Sequence, residues 1–235
     1  MMKPASFLTA VTFLLIPGLS NAGSLNDPAV DAAVVYEDLT PWEGAYVGGT
    51  IGYHFPGGDR VGIEPSVGAP FNLGDLDISG WNGSLRAGYR WQFADFIVGS
   101  ELAVEGGYVE DTITNGNYRA STKLNHALSL RVKAGTIMPI FDSFVYATVG
   151  LSRAEFDYEV TGSGGNGPIS FDETYSTNGY ILGVGFERPI SDRWTLTGEY
   201  EYVNFGKDEL TDGAGNTTLA TPLFHTLKLG LNYNF

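Results

Sequence analysis

The chain alternates between apolar and polar residues over eight long segments, and the clearest of them ends the sequence. In HTLKLGLNYNF, residues 225–235, one side of an extended strand carries only apolar residues, namely Leu227, Leu229, Leu231, Tyr233 and Phe235. The same period of two predicts eight strands, which are Tyr46–Phe55, Ile78–Trp91, Phe96–Val109, Leu124–Met138, Phe144–Ala154, Asn178–Arg188, Trp194–Phe205 and Phe224–Phe235. The pattern therefore predicts an all-β protein.

Short and long connections alternate strictly between these strands. The short ones, at 92–95, 139–143 and 190–193, are predicted as tight turns. The other four are polar and glycine-rich and are predicted as long loops, at 56–77, 110–123, 155–177 and 206–223. This alternation is typical of an antiparallel up-and-down meander with all its long loops at one end, and an even strand number puts both chain termini at the other.

The aromatic residues favour a membrane barrel over a soluble sandwich, which would show the same alternation. They gather near the ends of the apolar faces as two predicted girdles, formed by Trp81 and Tyr108 near the long loops and by Tyr89, Trp91 and Trp194 near the short turns. From Trp81 to Trp91 the tilted strand rises about 25 Å, the height of a barrel's apolar band. We therefore expect an eight-stranded antiparallel up-and-down transmembrane β-barrel.

The polar faces of the strands carry a balanced set of charges that a barrel would enclose. Five are cationic and five anionic: Arg86, Arg90, Arg131, Lys133, Lys228, Glu101, Glu105, Glu187, Glu199 and Glu201. Two interpretations remain open, a salt-bridged core that closes the lumen and the lining of a narrow pore. Pairing of Glu101 and Glu105 with the three arginines discriminates the two interpretations, because it is expected in the closed barrel.

The first 41 residues differ in composition from the rest. Residues 1–22 combine Lys3, an apolar run and small residues at positions 20 and 22, which predicts a secretory signal peptide. Residues 23–41 are acidic and contain two prolines, so we expect a short lead-in. The barrel domain is then expected to span 42–235. No apolar run is long enough to predict a transmembrane helix.

Charge and residue usage narrow the functional classes. A net charge of −14 argues against nucleic-acid binding, and the absence of cysteine excludes disulfides within the sequence. The three histidines predict neither a metal site nor a catalytic one. His54 and His225 have opposite parity, and His126 faces away from Ser129. We therefore expect no enzyme activity and no cofactor.

Three segments carry a family resemblance. PWEGAYVGGTIGY at 41–53, GSLRAGYRWQFADFIVGSEL at 83–102 and LKLGLNYNF at 227–235 resemble the Omp25/Omp31-type outer-membrane β-barrel proteins of alphaproteobacteria, over residues 42–235. The resemblance implies a bacterial outer membrane, with lipid and lipopolysaccharide as partners, extracellular long loops and periplasmic termini.

The last strand also resembles the C-terminal signal of bacterial outer-membrane barrels, at Lys228, Gly230, Tyr233 and Phe235. By that resemblance the barrel assembly machinery would bind this strand. Some relatives are thought to join peptidoglycan through their N-termini, which makes the lead-in a candidate attachment segment, and no OmpA-like peptidoglycan-binding domain is expected after Phe235.

The resemblance and the pattern leave three functional hypotheses. The first is a structural, envelope-stabilising barrel with a surface-exposed role. The second is a small porin-like diffusion channel. The third is an adhesin or ligand binder whose loops carry the site.

Overall fold

The computed structural model describes residues 42–57, 59–139, 142–164 and 167–235. Within them lie twelve strands: β1 (Gly44–Pro56), β2 (Asp59–Glu64), β3 (Phe71–Leu76), β4 (Ser79–Phe93), β5 (Phe96–Asn115), β6 (Tyr118–Met138), β7 (Ser143–Gly164), β8 (Gly167–Pro189), β9 (Trp194–Asn204), β10 (Asp208–Thr211), β11 (Thr217–Ala220) and β12 (Leu223–Asn234). The predicted signal peptide and lead-in lie outside the described residues. The described residues contain no helix long and apolar enough to cross a membrane.

Eight of the strands close into a barrel. Their order is β1-β12-β9-β8-β7-β6-β5-β4, and each neighbouring pair is antiparallel. The seam joins the first strand to the last, from Tyr46 opposite Asn234 to Pro56 opposite Phe224. The predicted eight-stranded up-and-down barrel is therefore confirmed, and the end of the barrel with the three short connections is its turn end.

Two of the four predicted long loops are strands instead. β5 continues to Asn115 and β6 begins at Tyr118, while β7 continues to Gly164 and β8 begins at Gly167. The prediction of loops at 110–123 and 155–177 was therefore wrong. The ends of β5 and β7 were placed too early, and the starts of β6 and β8 too late. At about 3.3 Å per residue and a tilt near 40°, β7 rises roughly 55 Å, about twice the height of a membrane-embedded band.

The other two predicted loops also contain strands. Residues 56–77 include β2 and β3, and residues 206–223 include β10 and β11. These four short strands form a second antiparallel sheet in the order β10-β11-β2-β3. We call this sheet the lid. The prediction of unstructured connections was wrong here as well, because short β hairpins need few apolar residues when one of their faces is solvated.

The inward and outward faces of the tall strands exchange their chemistry part of the way up. Nearer the turn end, β7 turns Thr148 and Ser152 inward and exposes Val149 and Leu151. Beyond Ala154 the buried side chains are apolar and the outward ones are acidic; they are Phe156, Tyr158 and Val160, against Glu155, Asp157 and Glu159. The apolar outer belt ends at this exchange. We call the barrel wall beyond it, together with the lid, the head.

The head is a two-layer structure with its own apolar core. Side chains on the inner face of the tall wall, including Phe156, Val160 and Phe171, are fully buried against the lid. The lid contributes Val61, Ile63, Leu73, Leu76, Leu210 and Ala220 to the same cluster. Hydrogen bonds join the edges of the two layers, including Asp77 N to Asp111 Oδ2 at 2.7 Å. This core covers the end of the barrel opposite the short turns.

A smaller apolar cluster lies inside the barrel at the turn end. It consists of Trp42, Ile97, Phe144 and Tyr146, all buried, with Ile137 packed against them. The rings of Trp42 and Phe144 are 5.8 Å apart. The charged segment of the interior therefore lies between two apolar clusters.

Candidate functional site in the barrel interior

The polar segment of the interior contains all ten charged side chains that the alternating pattern assigned to the polar faces of the strands. None of them is more than 7% exposed. They are Arg86 and Arg90 on β4, Glu101 and Glu105 on β5, Arg131 and Lys133 on β6, Glu187 on β8, Glu199 and Glu201 on β9, and Lys228 on β12. Five positive and five negative charges face each other within one buried volume, which we call the interior charge network.

Lys133 is at the centre of this network. Its Nζ lies 2.7 Å from Glu101 Oε2 and 2.7 Å from Glu199 Oε1. Arg86 on β4, two strands away from Lys133, reaches the same two carboxylates, with Nη1 2.9 Å from Glu199 Oε2 and Nε 3.8 Å from Glu101 Oε2. Each of these carboxylates therefore contacts more than one cation, which offsets part of the cost of burying it.

A second group of ion pairs lies nearer the head. Lys228 Nζ is 2.5 Å from Glu105 Oε2 and 2.7 Å from Glu201 Oε2. Arg131 Nη1 lies 2.7 Å from Glu201 Oε1 and 3.6 Å from Glu101 Oε1, which joins the two groups. The predicted pairing of Glu105 with the arginines was wrong, because among the described residues Glu105 pairs with Lys228 and His54. Glu101 pairs with Arg86 and Arg131 as predicted, whereas Arg90 pairs with Glu187 instead.

Arg90 forms the end of the network nearest the short turns. Its Nη1 lies 2.9 Å from Glu187 Oε1. The guanidinium also lies over the Tyr46 ring, 4.3 Å from its centroid, and 5.6 Å from the Trp42 ring. A cation over an aromatic face is stabilised by the ring quadrupole, so this residue connects the ion pairs to the apolar cluster below them.

Two tyrosines that the sequence analysis did not single out complete the network. Tyr46 donates a hydrogen bond to Glu101 at 2.8 Å, and Tyr146 donates one to Glu199 at 2.5 Å. Each ring lies over the glycine directly opposite on the next strand, where an added Cβ would come within 2.6 Å of Tyr46 at Gly88 and 2.7 Å of Tyr146 at Gly185. The sequence contains one signal for these residues, namely a tyrosine on the otherwise polar face of a strand, where it points into the barrel.

His54 connects the network to the head core. Its Nε2 lies 2.8 Å from Glu105 Oε1, and its Nδ1 lies 2.7 Å from Thr226 Oγ1. A cavity of about 20 Å³ borders His54, Glu105, Arg131 and Lys228. That volume holds roughly one water molecule.

The predicted girdle residues all lie on the outer surface. Their exposed fractions run from 39% for Tyr89 to 85% for Tyr108, with Trp81, Trp91 and Trp194 between them. Trp81 is the cross-strand partner of Tyr108 at the boundary with the head. At the turn end, the Tyr89 and Trp91 rings are 4.9 Å apart. The outer apolar belt therefore has aromatic side chains at both of its edges.

The four residues of the predicted assembly signal have different environments. Lys228 belongs to the interior charge network, while the Tyr233 ring packs 5.3 Å from Trp194 on the outer surface. At Gly230 an added Cβ would lie 2.7 Å from Gly49 O and from Thr50 Cγ2, so the close approach of β1 requires glycine there. Phe235 N donates to Ala45 O at 3.1 Å. Recognition by the assembly machinery stays a prediction.

The remaining histidines lie outside the barrel interior. His225 Nδ1 is 2.7 Å from the Tyr200 hydroxyl, and His126 Nδ1 is 3.8 Å from Glu155 Oε1. Among the residues that the structure describes, no group of three or more His, Cys, Asp or Glu side chains is placed to hold a metal ion.

A closed antiparallel barrel with an apolar belt outside and polar side chains inside defines the class of outer-membrane β-barrels. The chain belongs to the outer membrane protein beta-barrel domain family, which matches residues 29–235. It is 27% identical over 223 residues to the 31 kDa outer-membrane immunogenic protein of Brucella melitensis, covering 90% of each chain. It is 25% identical over 198 residues to the 22 kDa outer membrane protein of Rhizobium leguminosarum, covering 83% of this chain and 78% of that one.

Among solved structures, the chain resembles the outer membrane protein OprG of Pseudomonas aeruginosa. The TM-score is 0.51 at 14% identity, and the match covers 82% of this chain and 96% of that one. At this identity the similarity concerns the fold alone. The protein is therefore an all-β protein of the outer membrane, related to named outer-membrane proteins of Brucella and Rhizobium.

Proposed function

We propose that the protein is a closed structural barrel that stabilises the outer membrane and presents its head at the cell surface. The observation that carries this proposal is the filled interior. Ten buried charges lie between an apolar cluster at the turn end and the apolar core of the head. No catalytic role is part of the proposal.

The alternative, a diffusion channel, requires a continuous water-filled path lined by charged or polar groups. Charges that line such a path face water, whereas those of the interior charge network face one another at 2.5–3.8 Å. A solute would have to displace the ion pairs and then the head core. Both costs favour a closed lumen.

Surface exposure of the head is supported by two observations. In bacterial barrels the short turns face the periplasm and the longer connections face outward, and the head is built on the longer connections. The relative in Brucella melitensis is named an immunogenic outer-membrane protein. In this proposal, lipid and lipopolysaccharide contact the apolar belt, and its aromatic edges lie at the two interfaces.

Single-channel recording in a planar bilayer tests the proposal. The purified barrel, with folding shown by a heat-dependent gel shift, is expected to give no discrete openings, because the ion pairs and head core fill the lumen. A heat-denatured sample, which lacks the gel shift, serves as the control for adventitious leaks. Steady discrete openings from the folded barrel would contradict the proposal and favour the channel.

The double variant Glu101→Gln/Glu105→Gln gives an independent measurement. In a closed barrel, Lys133 and Lys228 each lose a carboxylate partner and the unfolding midpoint in urea falls. In a channel, the same change mainly alters the ratio of cation to anion permeability. A stable variant with altered selectivity would overturn the closed-lumen proposal.

A further inference from the structure

The solvent-facing side of the lid contains an open groove. Its volume is about 810 Å³, and it lies between the outer face of the lid and the rim of the barrel. Residues of the lid face and of the following connection form most of its surface, and Asn204 and Leu223 contribute from the barrel rim. The head core lies on the other face of the lid, so the groove is separate from the barrel interior.

The strand register of the lid aligns the floor of this groove. Glu209 is opposite Leu219 on β10 and β11, Thr217 is opposite Glu64 on β11 and β2, and Gly62 is opposite Asn72 on β2 and β3. At Gly62 an added Cβ would meet no atom within 4 Å. The glycine therefore leaves the middle of the floor open, between polar side chains on neighbouring strands.

The groove contains charged groups that have no side-chain partner among the described residues. Lys207, Glu64 and Glu209 are exposed, and they form no ion pair or side-chain hydrogen bond with another side chain that the structure describes. Apolar surface lies among them, since Leu219 is 45% exposed. The groove thus combines the carboxylate acceptors of Glu64 and Glu209, the ammonium donor of Lys207 and the amide of Asn72 with the apolar side chain of Leu219.

We propose that this groove binds an oligosaccharide of about two or three sugar residues, which fits the usual size of a ligand site. Sugar hydroxyls both donate and accept, so they can pair with carboxylates, with an ammonium group and with an amide at once. The apolar faces of sugar rings can pack against Leu219. An anionic ligand is disfavoured because Glu64 and Glu209 outnumber Lys207, and an acyl chain is disfavoured because it would desolvate all three.

Two sources can supply such a saccharide. The rim residues Asn204 and Leu223 lie at the head end of β9 and β12, close to the exchange that ends the apolar belt. The groove can therefore contact neutral sugars of lipopolysaccharide in the surrounding leaflet, or free neutral glycans from outside the cell. Both present the same hydroxyl chemistry, and the experiment distinguishes them.

The test compares the full-length native protein with two glycine variants in detergent. Gly62→Leu places a side chain in the middle of the groove floor. Gly213→Leu is the matched control, because an added Cβ there also meets no atom within 4 Å and the residue lies in the β10–β11 turn, away from the groove lining. A heat-dependent gel shift and protease resistance of the head show that each variant is folded.

The first measurement is binding to an array of immobilised disaccharides to tetrasaccharides, followed by titration of the best binder. We expect the native protein and Gly213→Leu to bind, and Gly62→Leu to lose at least tenfold in affinity. Lys207→Ala, which leaves the backbone unchanged, is expected to weaken binding as well. Absence of saccharide binding by the native protein, or equal affinity for both glycine variants, overturns the proposal.

The second measurement compares rough lipopolysaccharide with lipid A that lacks the core sugars. Stronger binding of the lipopolysaccharide, lost in Gly62→Leu, identifies the membrane's own saccharide. Binding on the array without that difference identifies an external glycan. A third outcome would refute the groove as a saccharide site. In it, no saccharide on the array binds, lipid A and lipopolysaccharide bind equally, and Gly62→Leu changes neither, which would show contact with lipid alone.

Discussion

At the scale of single residues, burial gives the interior charge network its energetic weight. A carboxylate moved from water into a protein interior loses several kcal/mol of solvation, and good ion-pair geometry recovers this only when the remaining lone pairs are also bonded. Glu199 meets that condition, since it contacts Lys133, Arg86 and the Tyr146 hydroxyl. Removing one member therefore costs more than the pair contributes.

We predict that Lys133→Met destabilises the barrel by about 3–5 kcal/mol, because the buried carboxylates Glu101 and Glu199 each lose the cation that lies 2.7 Å away. Methionine keeps the length and apolar stem of lysine, so the change removes mainly the charge. Urea unfolding in lipid vesicles measures the difference. Lys123→Met is the control on the same strand; this lysine is exposed on the head, and its loss should change stability by less than about 0.5 kcal/mol.

Equal unfolding free energies for the two lysine variants would contradict the assigned role of the network. A second check uses Lys133→Met combined with Glu101→Gln. Neutralising one of the two carboxylates that lost Lys133 as a partner should restore part of the lost stability, since repulsion between Glu101 and Glu199 then disappears.

The sequence allowed the members of the network to be predicted but not their partners. Parity along each strand assigns a side chain to one face, and this requires only a period of two. Arg86, however, contacts Glu199 across the barrel, from β4 to β9, which are not neighbouring strands. Such contacts depend on the stagger and tilt of all eight strands together, and the local pattern does not contain that information.

At the scale of the elements, the exchange of faces along β7 explains why sequence analysis placed its end too early. The segment RAEFDYEV at 153–160 alternates as regularly as any predicted strand. Its acidic residues point outward, whereas nearer the turn end the outward residues are apolar. The acidic and glycine-rich composition of 155–177 predicts a loop, whereas the periodicity of 153–160 predicts that the strand continues.

We predict that an arginine introduced on the outward face costs much more stability on the turn-end side of this exchange than on the head side. Val149→Arg places a charge near the middle of the apolar belt and should destabilise the barrel by about 2–4 kcal/mol. Glu159→Arg, ten residues further along the same outward face, contacts water and should cost less than about 1 kcal/mol. Unfolding in lipid vesicles compares the two variants directly.

The comparison has a clear contrary outcome. Similar costs for both variants would mean that the exchange does not mark the end of the lipid-facing surface. Repeating the measurement in a thinner bilayer adds a check, because Glu159→Arg should then remain inexpensive while the cost of Val149→Arg falls as the charge comes closer to water.

At the scale of the whole molecule, three layers follow one another along the barrel axis. An aromatic cluster lies at the turn end, the interior charge network lies in the middle, and the apolar core fills the head. The head projects beyond the apolar belt on one side only, so the molecule is strongly asymmetric about the membrane plane. This asymmetry makes its orientation measurable.

We predict that a cysteine at Ser163 is labelled on intact cells and one at Asp192 is not. The sequence contains no cysteine, so each variant has a single thiol. Ser163 lies at the tip of β7 in the head, Asp192 lies in the turn between β8 and β9, and both are exposed. A membrane-impermeant maleimide reports the difference, and lysed cells serve as the control for reactivity. Labelling of Asp192→Cys alone would reverse the proposed orientation.

The lid joins two hairpins that come from opposite ends of the barrel sequence. β2 and β3 follow β1, β10 and β11 precede β12, and among the described residues β11 meets β2 at Thr217 and Thr218. Within the lid sheet the two hairpins are joined by this short β11–β2 pairing, next to the barrel seam between β1 and β12. Separating the two hairpins would break no strand pair of the barrel. Because β2 follows β1 and β11 precedes β12, we expect the β11–β2 pairing to form together with the β1–β12 seam during biogenesis, so that a closed lid marks a closed barrel.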